Sequence, residues 1–186
     1  MSMWKRRAKQ LAVTLVAILV VAATGLVLLW RDRVDLDAID WATPPEPGEA
    51  ALTATWLGVT TVLIDDGETQ ILVDGFVSRP TLFESLTGRP VTSDEPMINY
   101  VMNEYGMDRL AAIVPAHSHY DHAMDVGAIA NRSSASILGS ETTANIARGV
   151  GVPEDQIVVA EAGAPYSFGN FTVTLVPSVH APVGLR

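Results

Sequence analysis

Twenty consecutive residues without a charge, LAVTLVAILVVAATGLVLLW from Leu11 to Trp30, divide this chain of 186 residues into two physically different parts. A helix of that length crosses a hydrocarbon core. The run has no polar face, so it does not suit a helix half-embedded in a soluble core. Lys5, Arg6, Arg7 and Lys9 precede it, and Arg31 and Arg33 follow among Asp32, Asp35 and Asp37. The positive-inside rule puts residues 1–10 in the cytoplasm as a basic tail and everything after Trp30 outside, in the periplasm if the source is bacterial. Val21-Ala22-Ala23 offers a small-residue cleavage site, as in a removable signal peptide. The apolar run, however, continues seven residues beyond Ala23, longer than a usual signal h-region. The pattern predicts an uncleaved signal anchor over 11–30.

Beyond the anchor the chemistry changes. Residues 34–186 hold six arginines against twenty acids, a net −14, whereas residues 1–33 carry +5. So acidic an outer part repels a polyphosphate backbone, which argues against nucleic acid as a partner. There is no cysteine, and so no disulfide.

The acid- and proline-rich DAIDWATPPEPGEA falls within a linker spanning 31–51, with a domain over 52–186. Three strand-like runs follow between Leu52 and Val73, broken at Gly58 and at Asp66-Gly67. Asp-Gly between such runs predicts an antiparallel hairpin. Residues 76–96 read as a long polar loop, and long loops in compact domains are often functional. Residues 97–107 have helical spacing, with Ile98, Val101, Met102 and Tyr105 on one face and Gly106 as a stop. LAAIVPA (110–116) reads as a buried strand, DHAMDVGAIANR as helix, SASILG as strand, and SETTANIARGVG as a helix capped by Ser140. Two further strand regions follow, the last turning at Gly169-Asn170. A strand meander followed by alternating strands and helices predicts an α/β fold, a mixed sheet covered by helices.

The chain has four histidines, and three lie in HSHYDH, residues 117–122, directly after the predicted buried strand. His117 and His119, two apart in an extended segment, point to the same side. Asp121 and His122 open the next helix and can face the same crevice. Imidazoles and carboxylates of this kind are good Zn²⁺ ligands. Shuffling the chain's own histidines and aspartates yields H-x-H-x-D-H with a chance of roughly a few in 10⁵. Ser118 and Tyr120 read as a spacer and a packing residue.

H-x-H-x-D-H after a buried strand resembles the metal motif of the metallo-β-lactamase fold hydrolases. TWLGVTTVLIDDGETQILVDGF (55–76) resembles the opening strands of the branch that includes ascorbate-6-phosphate lactonase-like and N-acyl-phosphatidylethanolamine phospholipase D-like proteins. FTVTLVPSVHAP (171–182) is similar to the strand and loop that carry that fold's next histidine, here His180. The resemblance covers about residues 52–182 and implies an αβ/βα sandwich with metal at one edge. It implies that His117, His119 and His180 bind a first metal ion and that Asp121 and His122 contribute to a second. Asp74 matches a strand-end acid that stands behind the ligands and holds the site's loops; a turn residue closing a hairpin is the other reading. The family pattern also needs a later bridging aspartate and a final histidine, and only APVGLR follows His180. That predicts a domain truncated at its C-terminus, a fragment of a longer enzyme.

The resulting expectation is a membrane-anchored zinc hydrolase with one or two ions. Metal-activated water would attack an ester, lactone, amide or phosphodiester of a small-molecule or lipid-like substrate, with Asp121 as base or water-orienting catalytic group. Two alternatives come from other classes. One is a non-hydrolytic iron protein of the same fold, since these ligands also suit iron. The other is an inactive, membrane-tethered binding module. The sequence does not specify oligomeric state.

Overall fold

The computed structural model describes residues 3–31, 52–87 and 89–178. The chain forms two units, Met1–Pro44 and Pro45–Arg186. In the first, α1 (Met3–Arg31) is one helix whose described side chains are exposed, apart from half-exposed Gly25. Its stretch Met3–Leu28 is long and apolar enough to cross a membrane, a test that a signal sequence also passes. The predicted linker lies mostly outside the described residues.

In the second unit, β1 (Thr53–Gly58), β2 (Thr61–Asp65) and β3 (Gln70–Val73) form the predicted meander. β2 and β3 pair antiparallel, Asp65 opposite Gln70 and Val62 opposite Val73. The turn closes because the Asp66 carboxylate accepts from the Glu68 and Thr69 amides while Gly67 takes φ +89°. The sheet continues in parallel through β4 (Leu110–Val114), β5 (Ser136–Gly139) and β6 (Ile157–Val159), giving six strands in the order β1-β2-β3-β4-β5-β6.

Five helices join the later strands. Residues 76–96 are not loop throughout: α2 (Leu82–Thr87) occupies the middle, with the Glu84 carboxylate accepting from the Thr81 amide and hydroxyl at its start. α3 (Glu95–Glu104) begins two residues earlier than the apolar spacing predicts, because Asp94 caps it by accepting from the Met97 amide and Pro96 fits its first turn. Gly106 in the left-handed region ends it early, so Tyr105 leaves the apolar face and is exposed. The predicted helix after the hexad is two pieces, α4 (Tyr120–Ala123) and α5 (Val126–Ser133), joined through Met124 and Asp125. Ser140 caps α6 (Glu141–Gly149) as expected.

Successive strand residues go to opposite faces. Leu72, Ile113 and Ile137 point to the face packed with Ile98, Val126, Ile129, Ala130 and Ala147 of α3, α5 and α6. Ile71, Ala112, Val114 and Leu138 point to the other. There a separate hairpin, β7 (Pro165–Phe168) and β8 (Phe171–Thr174), supplies Tyr166, Phe168, Phe171 and Val173. Leu72, Ile113 and Leu138 are wholly buried, each burial stabilising by roughly 1.5–3 kcal/mol. Runs apolar on both faces are what a helix-flanked parallel sheet requires. The fold is thus α/β, with the mixed sheet and helical cover expected from the sequence.

Candidate metal centre

The parallel pairing of β3 with β4 sets Val73 beside Val114, so both chains leave the sheet at the same edge. β3 leads into Asp74 and β4 leads through Pro115-Ala116 into the hexad. The Asp74 amide donates to the Val114 carbonyl at 3.1 Å, and its backbone then turns left-handed, φ +58°. That turn sends its side chain back under the hexad. Asp74 is 2% exposed, and both of its carboxylate oxygens are used. One accepts from the Ala116 amide at 2.7 Å and the other meets His122 Nδ1 at 2.7 Å.

An ionised carboxylate can only accept, so the contact places a proton on His122 Nδ1, which in the neutral ring leaves the lone pair on Nε2. Nε2 stands 3.7 Å from the Asp121 carboxylate. The His122 backbone is held on both sides: its amide donates to the His119 carbonyl at 3.0 Å, and its carbonyl accepts from Gly75 at 2.7 Å. The Thr60 hydroxyl, on the β1–β2 turn, donates to the Asp121 carbonyl at 3.0 Å.

His117 and His119 do lie on one side, as an extended segment requires. Their rings are 4.5 Å apart, and the His117 ring is 4.0 Å from that of His122. His117 Nε2 approaches His119 Nδ1 to 3.0 Å. Two ring nitrogens that close need either a proton between them or a shared cation. Two nitrogens each 2.0–2.1 Å from one zinc stand about 3.0–3.4 Å apart, so this pair suits a nitrogen-preferring divalent ion. Among the described residues, no group of three or more His, Cys, Asp or Glu is arranged to hold a metal ion by itself. His180 lies outside the described residues. The structure therefore brings His117, His119, Asp121, His122 and Asp74 together at one strand end.

Two cavities flank the hexad on different sides. One of about 280 Å³ is lined by His117, Ser140, Leu175, Val176 and Pro177. A larger one of about 470 Å³ uses Ser118 and Tyr120 with Val91, Met124 and Ile146, and no histidine. Of the two, the smaller has an imidazole in its wall. Ser118 is more than a spacer: its hydroxyl is 3.1 Å from that of Ser140 and 3.0 Å from that of buried Thr143, tying the hexad to the start of α6. Exposed Tyr120 packs edge-on against Phe76. Sequence reasoning missed Asp125 and Ser78 behind the site; the one signal was a lone acid in the apolar stretch AMDVGAIA.

No family model matches the chain. Curated relatives do. It is 28% identical over 150 residues to a UPF0173 metal-dependent hydrolase of Myxococcus xanthus, covering 74% of this chain and 46% of that protein. It is 30% identical over 126 residues to a UPF0173 metal-dependent hydrolase of Carboxydothermus hydrogenoformans, covering 68% and 46%. The chain spans about half the length of the curated relatives it matches. Among solved structures it resembles Igni18, a metallo hydrolase of Ignicoccus hospitalis, with 18% identity, TM-score 0.45 and coverage of 70% and 50%. It also resembles the metallo-β-lactamase SMB-1, with 18% identity, TM-score 0.46 and coverage of 72% and 53%. At these scores the structural likenesses add no weight to the sequence relatives. The curated relatives are metal-dependent hydrolases, and the hexad and opening strands of this chain resemble those of the metallo-β-lactamase-fold hydrolases.

Proposed function

We propose that the chain carries part of the catalytic site of a membrane-anchored, zinc-dependent hydrolase. In this reading residues 1–10 are a cytoplasmic tail, 11–30 a signal anchor, 31–51 a linker and 52–186 the extracytoplasmic catalytic domain. His117, His119 and His180 hold one ion, and Asp121 and His122 contribute to a second. A divalent ion there supplies a Lewis acid and lowers the pKa of its water. The chain's own residues do the rest. Asp74 keeps the proton of His122 on Nδ1, so that the Nε2 lone pair is available to a ligand. Asp121, half-exposed at the mouth, accepts a proton from the attacking water. The cavity walled by His117 admits the scissile ester, lactone, amide or phosphodiester of a small-molecule or lipid-like substrate.

The observation that carries this is the 3.0 Å approach of the His117 and His119 ring nitrogens beside the Asp74-held His122. Two facts support a role for His180. Val176 and Pro177 line the cavity that His117 walls, and His180 is three residues further on, within about 11 Å of extended chain.

Elemental analysis of the purified full chain tests the metal, with a panel of nitrophenyl esters, a lactone and a phosphodiester, with and without lipid headgroups. Zinc at one or two equivalents and turnover lost to a chelator are expected. Bound iron without hydrolysis makes it a redox protein, and no turnover with added zinc makes it a binding module. Topology is read by labelling single introduced cysteines, which the cysteine-free sequence permits without background. A cysteine in residues 1–10 labels only from the cytoplasm if the anchor is oriented as proposed.

A further inference from the structure

We propose that Asp125 is a positioning residue of the metal centre, acting through Asp74 to fix the tautomer and orientation of His122. The inference rests on reading His122 as a site residue. Asp125 joins α4 to α5 and is 0% exposed. A carboxylate buried there must find donors. It finds three: the Val77 amide at 2.8 Å, the Ser78 amide at 2.7 Å and the Ser78 hydroxyl at 2.7 Å. All three come from the segment that leaves Asp74. The same segment is stitched by backbone bonds to the helix carrying His122. The Asp125 amide donates to the Gly75 carbonyl at 2.9 Å, and the Gly75 amide donates to the His122 carbonyl at 2.7 Å. Gly75 lies so close to α5 that a Cβ there would stand 2.7 Å from the Val126 side chain and 3.1 Å from its backbone.

Asp74 is the residue most in need of such support. Its left-handed backbone persists only while its neighbours hold it. Upstream, the pairing of β3 with β4 holds it. Downstream, the Thr61 hydroxyl bonds the Phe76 amide and carbonyl, and Asp125 anchors Val77 and Ser78. The Asp125 carboxylate bonds Val77 and Ser78 and not the hexad, so it reaches the ring through the segment that carries Asp74 and Gly75. The clamp also reaches the far end of the 79–93 segment, because the Ser78 hydroxyl accepts from the Asp94 amide at 2.7 Å.

The test is Asp125→Asn in the full chain in detergent micelles, free of metal at pH 8. Asparagine keeps an oxygen for the two backbone amides but loses the charge and cannot accept the Ser78 hydroxyl. Long-range ¹⁵N–¹H correlation of the imidazoles reads the His122 tautomer, and thermal unfolding is followed on the same samples. The wild type is expected with the proton on Nδ1. In the variant the ratio of Nδ1–H to Nε2–H falls about tenfold, the order set by loosening one hydrogen bond to a charged group. A lowered unfolding midpoint with an unchanged ratio makes Asp125 a loop brace only and overturns the proposal. An unchanged midpoint with an unchanged ratio overturns it too. Ser78→Ala, which removes one hydroxyl and spares both backbone donors, keeps the test decisive should Asp125→Asn not fold; a smaller shift the same way is expected, and none overturns it. A wild-type His122 protonated on Nε2 also overturns it, while metal content and turnover judge the hydrolase reading separately.

Discussion

Two carboxylates mark opposite ends of the same strands, and they do opposite things with their hydrogen bonds. At the end of β2, opposite the start of β3, Asp65 accepts from the Gly67 amide, the Gln70 side chain and Arg109, at 2.7, 2.8 and 2.7 Å. Fully buried Gln70 completes the circuit, donating to the Gly106 carbonyl and accepting from the Arg109 amide. Burial pushes the Asp65 pKa up, but the bonds from Gln70 and Gly67 and the charge of Arg109 outweigh it and hold the group below the usual carboxylate range. At the other end, Asp74 is equally saturated. What it holds, however, is a ring whose second nitrogen faces a half-exposed carboxylate, beside the His117 imidazole at a cavity wall. A polar network that closes on itself serves stability. One that collects lone pairs at a mouth is arranged for a ligand.

That contrast can be broken at four places. His117→Ala should cost the most where it matters and nothing elsewhere: zinc affinity down by about 10³-fold in a competitive chelator titration, with the metal-free unfolding midpoint unchanged, since structural-type zinc sites share some 10–16 kcal/mol among about four ligands. Gln70→Ala is the mirror image. It strands the Arg109 amide and removes two donors to Asp65 and Gly106, so chemical denaturation should show a loss of about 2–3 kcal/mol with zinc affinity intact. Asp74→Asn falls between, weakening zinc about 10–100-fold because the His122 tautomer is no longer fixed by a charge. Comparable zinc affinity in Asp74→Asn and wild type would erase the distinction between the two ends.

The smallest effect belongs to Arg109→Met, about 0.5 kcal/mol at neutral pH for an ion pair whose side chains are 40% and 20% exposed. The sign follows from Asp65. A carboxyl depressed in the folded state adds stability above its unfolded value and loses it as pH falls through its folded one. The wild type and Arg109→Met should therefore differ at neutral pH and converge in acid below the ordinary carboxylate range, as followed by urea titrations across pH.

What could be read from the sequence was whatever a short pattern dictates by itself. Asp66-Gly67 fixes a tight hairpin whatever surrounds it, and Ser140 caps a helix through a bond to its own third neighbour. The hexad was legible because spacing alone places His117 and His119 on one side. The backing of the site was not. Asp74 presented itself either as a turn residue or as a support, and its position beneath Ala116 and His122 depends on the register of β3 against β4, which no local signal encodes. The Asp125–Ser78 bond joins residues 47 apart and left only an acid in an apolar run. α2 stayed hidden because a six-residue helix shows too little periodicity to stand out from a polar loop.

The left-handed backbone of Asp74 carries a consequence for anyone engineering this chain. An aspartate at φ +58° bears about 1 kcal/mol of conformational strain that a glycine would not. The carboxylate's bonds to the Ala116 amide and to His122 outweigh that strain, at about 1.5–3 kcal/mol for each bond to a charged group, so a screen for thermal robustness does not draw the position toward glycine. Selection for hardiness and selection for the proposed site therefore hold this one codon to the same residue.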